Sequence, residues 1–188
     1  MNPISSDTAL LIIDVQKGFD DSGWGSRNNP DTEKRIQQLL EIWRETERPI
    51  IHVQHMSRGG ESPLRPNQSG NEFKPETAPK VDEPVFQKEV NSAFIGTNLK
   101  TYLHNNEIQS LVITGLTTNH CISTTTRMAE NLGFSPIVVT DATASFEQEG
   151  IDGQNHSAST VHEVALANLQ GEFAATMTTH EVRTGIIQ

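Results

Sequence analysis

Three residues with chemically reactive side chains occupy comparable places in the sequence. Asp14 directly follows a short apolar run, Lys88 follows a weaker one, and Cys121 stands behind a third, at the end of a polar turn. A carboxylate can accept the proton of a thiol, and a cation can stabilise the negative charge that develops during attack. Together these three residues indicate a site for nucleophilic catalysis by a thiol.

Each of these residues also has an ordinary structural interpretation. A carboxylate after a strand commonly caps the next loop, most lysines are solvated surface residues, and a lone cysteine is usually a small buried apolar residue. The polar turn before Cys121 favours a functional thiol, because a following helix would place the sulfur in its first turn, where the helix dipole favours thiolate. His120 is a possible base, but neighbouring residues of a helix point in different directions, so it is poorly placed to pair with Cys121.

The elements that must position these side chains follow an alternation of apolar runs and helical patterns. The alternation predicts one α/β domain over residues 1–188, folded as a three-layer α/β/α sandwich around a mainly parallel, Rossmann-like sheet of about six strands. The predicted strands cover residues 9–13, 49–53, 84–86, 110–114, 136–140 and 173–178. The predicted helices begin near Asp31 and at residues 97, 119 and 154, and the last three end at residues 104, 132 and 169.

The carboxyl ends of the predicted strands carry the polar residues of interest. Asp14, His55, Lys88 and the turn before Cys121 all lie at or just beyond such an end. In α/β sheets these ends meet at one edge, where ligands bind, so we expect the four features to converge. The proline- and glycine-rich segment 57–83 has no apolar periodicity and is interpreted as a functional lid or interface arm, with a disordered linker as the alternative.

The composition of the chain limits its partners. Fourteen Lys and Arg against 24 Asp and Glu give a formal net charge of −10, which argues against a nucleic-acid-binding domain. The longest apolar run, 9–13, is too short to span a membrane, and the first seven residues lack the features of a secretory signal. Cys121 is the single cysteine, so no intrachain disulfide is possible and a reducing cytoplasm is the expected location. We therefore expect a small-molecule substrate and neither a nucleic-acid nor a membrane partner.

The order of these motifs along the chain resembles that of the isochorismatase-like cysteine hydrolases. This superfamily includes nicotinamidases, carbamoylsarcosine amidase and ureidoacrylate-type amidohydrolases. The resemblance runs through nearly the whole chain, and three motifs in register are specific for the superfamily but not for a substrate. The matching stretches are ALLIIDVQ at residues 9–16, FQK at 86–88, NSAF at 91–94, VITG through the cysteine at 112–121 and TDA at 140–142.

The resemblance implies a role for each reactive residue. Asp14 would take the proton from the Cys121 thiol and later return it to the leaving amine, while Lys88 would keep Asp14 ionised and stabilise developing charge. Cys121 would attack a carbonyl carbon and form a thioester that water hydrolyses. The family also has a cis peptide bond shortly before the nucleophile. In this chain that bond is Leu116–Thr117, and it would direct the N–H groups of Thr117 and Cys121 at the substrate oxygen.

The residues after the second strand differ from those of nicotinamidases, which carry an Asp-x-His metal signature there. This chain has His52 and His55 without the acid, and side chains three positions apart on a strand point to opposite faces. We therefore predict no metal site and no cofactor, with His52 in the packing and His55 as a donor in the pocket. Phe19 and Trp24 are predicted as pocket walls, although such aromatics are also common oligomer contacts, and Asn119 as a further substrate contact.

The favoured activity is metal-independent hydrolysis of a C–N bond in a small amide, carbamoyl or ureido compound, and two alternatives stay open. The isochorismate-cleaving branch hydrolyses a vinyl ether without needing a cysteine nucleophile, so that activity would survive Cys121→Ser. A catalytically silent member would bind a small molecule through the same pocket without turnover. The resemblance also implies a homodimer or homotetramer.

Overall fold

The central sheet forms from apolar, β-branched runs that are buried on both faces, as parallel strands covered by helices require. The computed structural model describes residues 4–187. The strands are β1 (Ala9–Ile13), β2 (Ile50–His55), β3 (Val85–Lys88), β4 (Ser110–Leu116), β5 (Ser135–Ala144), β6 (Gln148–Glu149), β7 (Asn155–His156) and β8 (Ala175–Met177). Six of them form one parallel sheet in the order β3-β2-β1-β4-β5-β8, and β6 pairs with β7 in an antiparallel ribbon.

Helices cover both faces of this sheet and complete a three-layer α/β/α sandwich. The helices are α1 (Thr32–Glu45), α2 (Leu99–Asn105), α3 (Ser123–Asn131), α4 (Ala158–Ala167) and α5 (Thr179–Ile187). Leu11 of β1 packs in the cluster that contains residues of α2 and α3, whereas Leu10 and Ile12 pack in the cluster that contains residues of α1 and α5. Because successive side chains of a strand point to opposite faces of the sheet, β1 packs against both helical layers. Within residues 4–187, no helix is long and apolar enough to cross a membrane.

The predicted three-layer architecture and sheet are confirmed, but several element boundaries differ, and three of the differences affect what the elements are. The predicted helix 119–132 is a π-helical turn, Thr118–Ile122, followed by α3. The predicted helix 154–169 begins only at Ala158, because the preceding residues form β7 and the Ser157 side chain caps the helix by accepting from Thr160 N. The predicted strand 173–178 is limited to β8, and the helix that follows it, α5, was not predicted.

The long connection between β2 and β3 is ordered and packs against the carboxyl edge of the sheet. The Asn71 side chain donates to the carbonyl oxygens of His55 at 2.8 Å and Leu64 at 2.7 Å. Lys74, which is 5% exposed, donates to Glu33 of α1 at 2.7 Å. These buried polar contacts contradict the alternative of a disordered linker, and they hold the segment as a wall over the strand ends.

Candidate active site

Four polar side chains meet at the carboxyl edge of the sheet, because each belongs to the end of one of four adjacent strands. Asp14 follows β1, His55 and Lys88 are the last residues of β2 and β3, and Cys121 lies in the turn after β4. His55 and Lys88 stand opposite each other in the parallel register. The structure thus brings together the three residues that the sequence singles out for catalysis, with His55 beside them.

The Lys88 ammonium lies at the centre of this group. Its Nζ is 2.6 Å from Asp14 Oδ2, 2.9 Å from His55 Nδ1 and 3.2 Å from Cys121 Sγ. Lys88 is only 1% exposed and Asp14 is fully buried. A buried ammonium is tolerated when its charge and its N–H groups are satisfied, and here three acceptors match its three donors. This burial excludes the interpretation of Lys88 as a solvated surface residue.

Burial controls the protonation of the carboxyl and the thiol. Desolvation raises the pKa of Asp14, although the charge and hydrogen bond of Lys88 act in the opposite direction. Burial, together with the Asp14 charge, raises the pKa of Cys121 to about 12 against the lowering effect of Lys88. Burial of the sulfur therefore opposes the thiolate form that the sequence led us to expect from a helix dipole. A raised pKa also makes Asp14 a stronger base for the thiol proton.

Cys121 lies in the π-helical turn rather than in the first turn of an α-helix. The N–H of Ile122 donates across this turn to Thr117 O at 3.2 Å. The peptide bond between Leu116 and Thr117 is cis. Thr117 and Cys121 both line the same small cavity, so the turn brings the residue after the cis bond and the thiol to one space.

Gly115 lets β4 pass close beside β1 just before this turn. Its φ is +121°, a region that favours glycine. A Cβ atom at this position would lie 1.9 Å from the carbonyl oxygen of Ile13, far inside van der Waals contact. Glycine is therefore required where the chain leaves the strand and turns toward Cys121.

Three donor atoms near Lys88 have a spacing that could hold a metal ion. A carboxylate oxygen of Asp14, a ring nitrogen of His55 and Cys121 Sγ lie within 4.8 Å of one another. The Lys88 ammonium already contacts all three side chains, so a divalent ion among them would meet a buried positive charge at close range. The donor set does not fit a metal cofactor. The second Asp14 oxygen, Oδ1, is buried and has no partner at hydrogen-bond geometry within residues 4–187, although the Cys121 thiol is close enough to affect the pKa of Asp14.

The two histidines of β2 have separate environments, as their spacing predicts. His52 is fully buried and its Nε2 is 2.9 Å from Glu83 Oε2, so it belongs to the packing. Burial and the Lys88 charge lower the pKa of His55 to about 4, and the imidazole is neutral near pH 7. Because Nδ1 accepts from Lys88, the network assigns the remaining proton to Nε2. His55 lines the cavity and can offer this N–H to a ligand.

The cavity beside the thiol has a volume of about 280 Å³. Phe19 and Trp24 form part of its wall, with ring centroids 5.1 Å apart, and Trp24 Nε1 donates to Gly18 O at 2.8 Å. These are two of the predicted pocket residues, and His55 is the third. Asn119 does not line this cavity, because its Oδ1 accepts from Ser145 Oγ at 3.0 Å and its side chain borders a different depression.

Sequence reasoning missed several residues of the cavity. Asn91 lies just past Lys88, and its Oδ1 is 3.8 Å from Cys121 Sγ. Its position soon after the end of a strand is a signal that could have identified it as a site residue. Leu64, Ser57 and Ser62 come from the connection after β2. That connection carries no periodic pattern, so nothing in its sequence identifies which of its residues face the site.

The sequence and the fold of this chain are similar to those of known proteins. A model of the isochorismatase domain matches residues 8–181. An uncharacterized isochorismatase family protein of Bacillus subtilis, YrdC, is 46% identical over 180 residues, covering 96% of each chain. Maleamate amidohydrolase of Pseudomonas putida is 27% identical and covers 90% of this chain and 82% of its own. A solved structure assigned to the isochorismatase family, from Chromobacterium violaceum, superposes with a TM-score of 0.95 at 38% identity, covering 98% of this chain and 96% of its own.

Proposed function

This chain belongs to the isochorismatase family of hydrolases, and from that premise we propose that it is a metal-independent cysteine hydrolase. Its substrate is a small amide, carbamoyl or ureido compound, and the bond that it cleaves is C–N. The observation that carries the proposal is the contact of the Lys88 ammonium with both Asp14 and Cys121, directly beside a small cavity. The amidohydrolase among its relatives is named for hydrolysis of an amide, which supports the same bond type.

Acylation begins with proton transfer from the Cys121 thiol to the Asp14 carboxylate. The sulfur forms a bond with the carbonyl carbon of the substrate, and the carbonyl oxygen becomes negatively charged. The N–H groups of Thr117 and Cys121 donate to that oxygen, while Lys88 balances the negative charge that passes between carboxylate, sulfur and substrate. The oxygen then re-forms its double bond, the C–N bond breaks, and the leaving nitrogen takes the proton from Asp14.

Deacylation uses the same groups with water as the nucleophile. Asp14 accepts a proton from the water as its oxygen attacks the thioester carbon. The C–S bond then breaks, the sulfur recovers a proton from Asp14, and the acid product leaves. A carboxylate whose pKa is raised by burial accepts the proton of the thiol or of water more readily than an ordinary carboxylate does.

Release of ammonia from a panel of small amides, carbamoyl compounds and ureido acids tests this proposal. We expect Cys121→Ala to lower kcat/KM by about 10³-fold or more, because it removes the attacking atom, and we expect EDTA to leave the activity unchanged. Thermal unfolding of both proteins controls for loss of fold.

Three results would contradict the C–N hydrolase. Turnover that persists in Cys121→Ala would exclude a thioester. Cleavage of isochorismate that survives Cys121→Ser, without ammonia release from any compound of the panel, would favour ether hydrolysis. Binding without turnover of any compound would indicate a silent member of the family.

A further inference from the structure

We infer that the cavity selects uncharged amides with a small apolar remainder and discriminates against substrates that carry a carboxylate. The inference rests on the proposed function, which supplies the reaction. It concerns which compounds within that broad substrate class the site accepts. It follows from the charges, donors and apolar surfaces that line the cavity.

The cavity wall offers no cation to a substrate carboxylate. Eleven residues of the described chain, 4–187, line the cavity, and none of them is Lys or Arg. Asp14 is the only acidic one, and its charge is balanced by Lys88 beneath it. Two histidines also line the wall, and burial lowers the pKa of both His55 and His120, so both are neutral near pH 7. A carboxylate moved from water into this space would lose its hydration without gaining an ion pair.

Lys88 cannot serve as that missing cation. An ammonium has three N–H donors, and the three of Lys88 already point at acceptors on Asp14, His55 and Cys121. A carboxylate could recruit Lys88 only by displacing one of the groups that the proposed reaction needs. The positive charge of the site is therefore committed to the nucleophile and its base.

The basic side chains of the surrounding loops are engaged elsewhere. Each of four such residues is paired with a glutamate of the described chain: Lys17 with Glu72, Arg27 and Lys74 with Glu33, and Arg58 with Glu89. Arg65 is exposed and does not line the cavity. The net charge of −10 further disfavours the approach of an anion.

One side of the cavity suits an apolar remainder. Phe19 and Trp24 pack together, and both contact Phe146 behind them, with ring centroids 6.1 and 5.6 Å away. The single polar group of Trp24 is used by Gly18 O, so the indole presents only apolar surface. Leu64, 5% exposed, extends this wall. At about 280 Å³ the space holds a small molecule, below the size usual for drug-like ligands.

Three amides that share one chain and differ only at the far end test the selectivity. Isocaproamide ends in an isopropyl group, succinamide in a neutral amide and succinamate in a carboxylate. We expect kcat/KM to fall in that order, with succinamate about 100-fold below isocaproamide. Equal or faster turnover of succinamate would overturn the inference while leaving the cysteine hydrolase intact.

A charge introduced at the cavity wall provides the converse experiment. Ser62 lines the cavity and is only partly buried, so a longer side chain can be accommodated there. We expect Ser62→Lys to raise the ratio of succinamate to isocaproamide turnover about tenfold, whereas the uncharged control Ser62→Met leaves the ratio unchanged. An equal change in both variants would show that size, not charge, sets the preference.

Binding to the Cys121→Ser protein, which keeps an acceptor for Lys88 in place of the thiol, separates failure of the inference from failure of the proposed function when it is measured by calorimetry. If none of the three amides is hydrolysed by the wild type, tighter binding of isocaproamide than of succinamate still supports the selectivity and overturns only the reaction. Tighter binding of succinamate, or no binding of any of the three, overturns the selectivity itself.

Discussion

At the scale of single residues, Lys88 connects all the chemistry of the site. Its ammonium lies within 3.2 Å of the Asp14 carboxylate, the His55 ring and the Cys121 sulfur. The carboxyl and the thiol are both shifted by burial toward their protonated forms, and Lys88 is the group that opposes both shifts. Under the proposed mechanism, the ionisation of both groups therefore depends on a residue that is almost completely buried.

Replacement of Lys88 by methionine should change the pH dependence as well as the rate. Without the lysine, the pKa of Asp14 rises further, so a smaller fraction of the carboxyl is ionised near pH 7 and able to accept the thiol proton. We expect Lys88→Met to lower kcat/KM near pH 7 by about 100-fold or more, with part of the loss recovered at higher pH. A pH–rate profile measures both effects.

Lys100 provides the matched control for that variant. It is an exposed lysine of α2, so Lys100→Met changes the net charge equally without touching the site. An unshifted pH–rate profile in Lys88→Met, or the same loss in Lys100→Met, would show that Lys88 does not control the ionisation of Asp14.

At the scale of elements, the strands were predictable and several connections were not. Apolar runs ending in polar residues identify buried parallel strands, and they account for the sheet that carries the site. Helix α5 was missed because its residues include Gly185 and several β-branched side chains. Its start nevertheless carries a capping signature, since Thr178 N and Oγ1 both donate to Glu181 Oε2. The π-helical turn has no comparable signature, because its form depends on contacts with other elements.

Glu33 links α1 to two loops that border the cavity and should contribute to acid stability. It accepts from Arg27 at 2.7 and 2.8 Å and from the buried Lys74 at 2.7 Å, and despite its desolvation these partners lower its pKa to about 2. A lowered folded-state pKa gives stability that is present above the ordinary value of 4.5 and is lost as pH falls toward 2. We expect Glu33→Gln to lower the free energy of unfolding near pH 7 by about 3 kcal/mol. We also expect the stability of this variant to fall less steeply than that of the wild type as the pH drops from 4.5 toward 2.

Urea unfolding at a series of pH values measures the Glu33 effect. Glu41 is an exposed residue of the same helix, and Glu41→Gln serves as the control that leaves both stability and its pH dependence unchanged. A Glu33→Gln protein whose stability falls with acid as steeply as the wild type would contradict the assigned role.

At the scale of the whole molecule, the meeting of Asp14, Lys88 and Cys121 at one edge of the sheet was predictable, as was the place of Phe19 and Trp24 in the cavity wall, whereas the part of the wall that comes from segment 57–83 was not. Residue type and position at a strand end identify Asp14, Lys88 and Cys121, since parallel strands bring such positions together. The walls depend on how segment 57–83 folds back, which is fixed by tertiary hydrogen bonds such as those of Asn71. A homodimer or homotetramer and a cytoplasmic location stay predictions from the sequence.

The net charge of −10 predicts that salt changes the turnover of an anionic substrate but not that of a neutral one. Repulsion between the protein and an anion is screened by salt, whereas a neutral amide experiences no such force. Between about 0.02 and 0.5 M salt we expect kcat/KM for succinamate to rise a few-fold and that for isocaproamide to stay constant. Steady-state kinetics at constant pH measures this, and a rate for succinamate that falls with salt would instead indicate an attractive cation near the entrance.

The close passage of β4 beside β1 has a consequence for the evolution of this protein. The atom that a side chain at position 115 would strike is the main-chain carbonyl oxygen of Ile13, not a side chain. Mutation elsewhere can reshape a side chain but cannot remove a carbonyl, so loss of Gly115 requires the two backbones themselves to move apart. Lineages that keep this crossing must inherit the glycine, while the cavity walls around it are free to diverge toward new substrates.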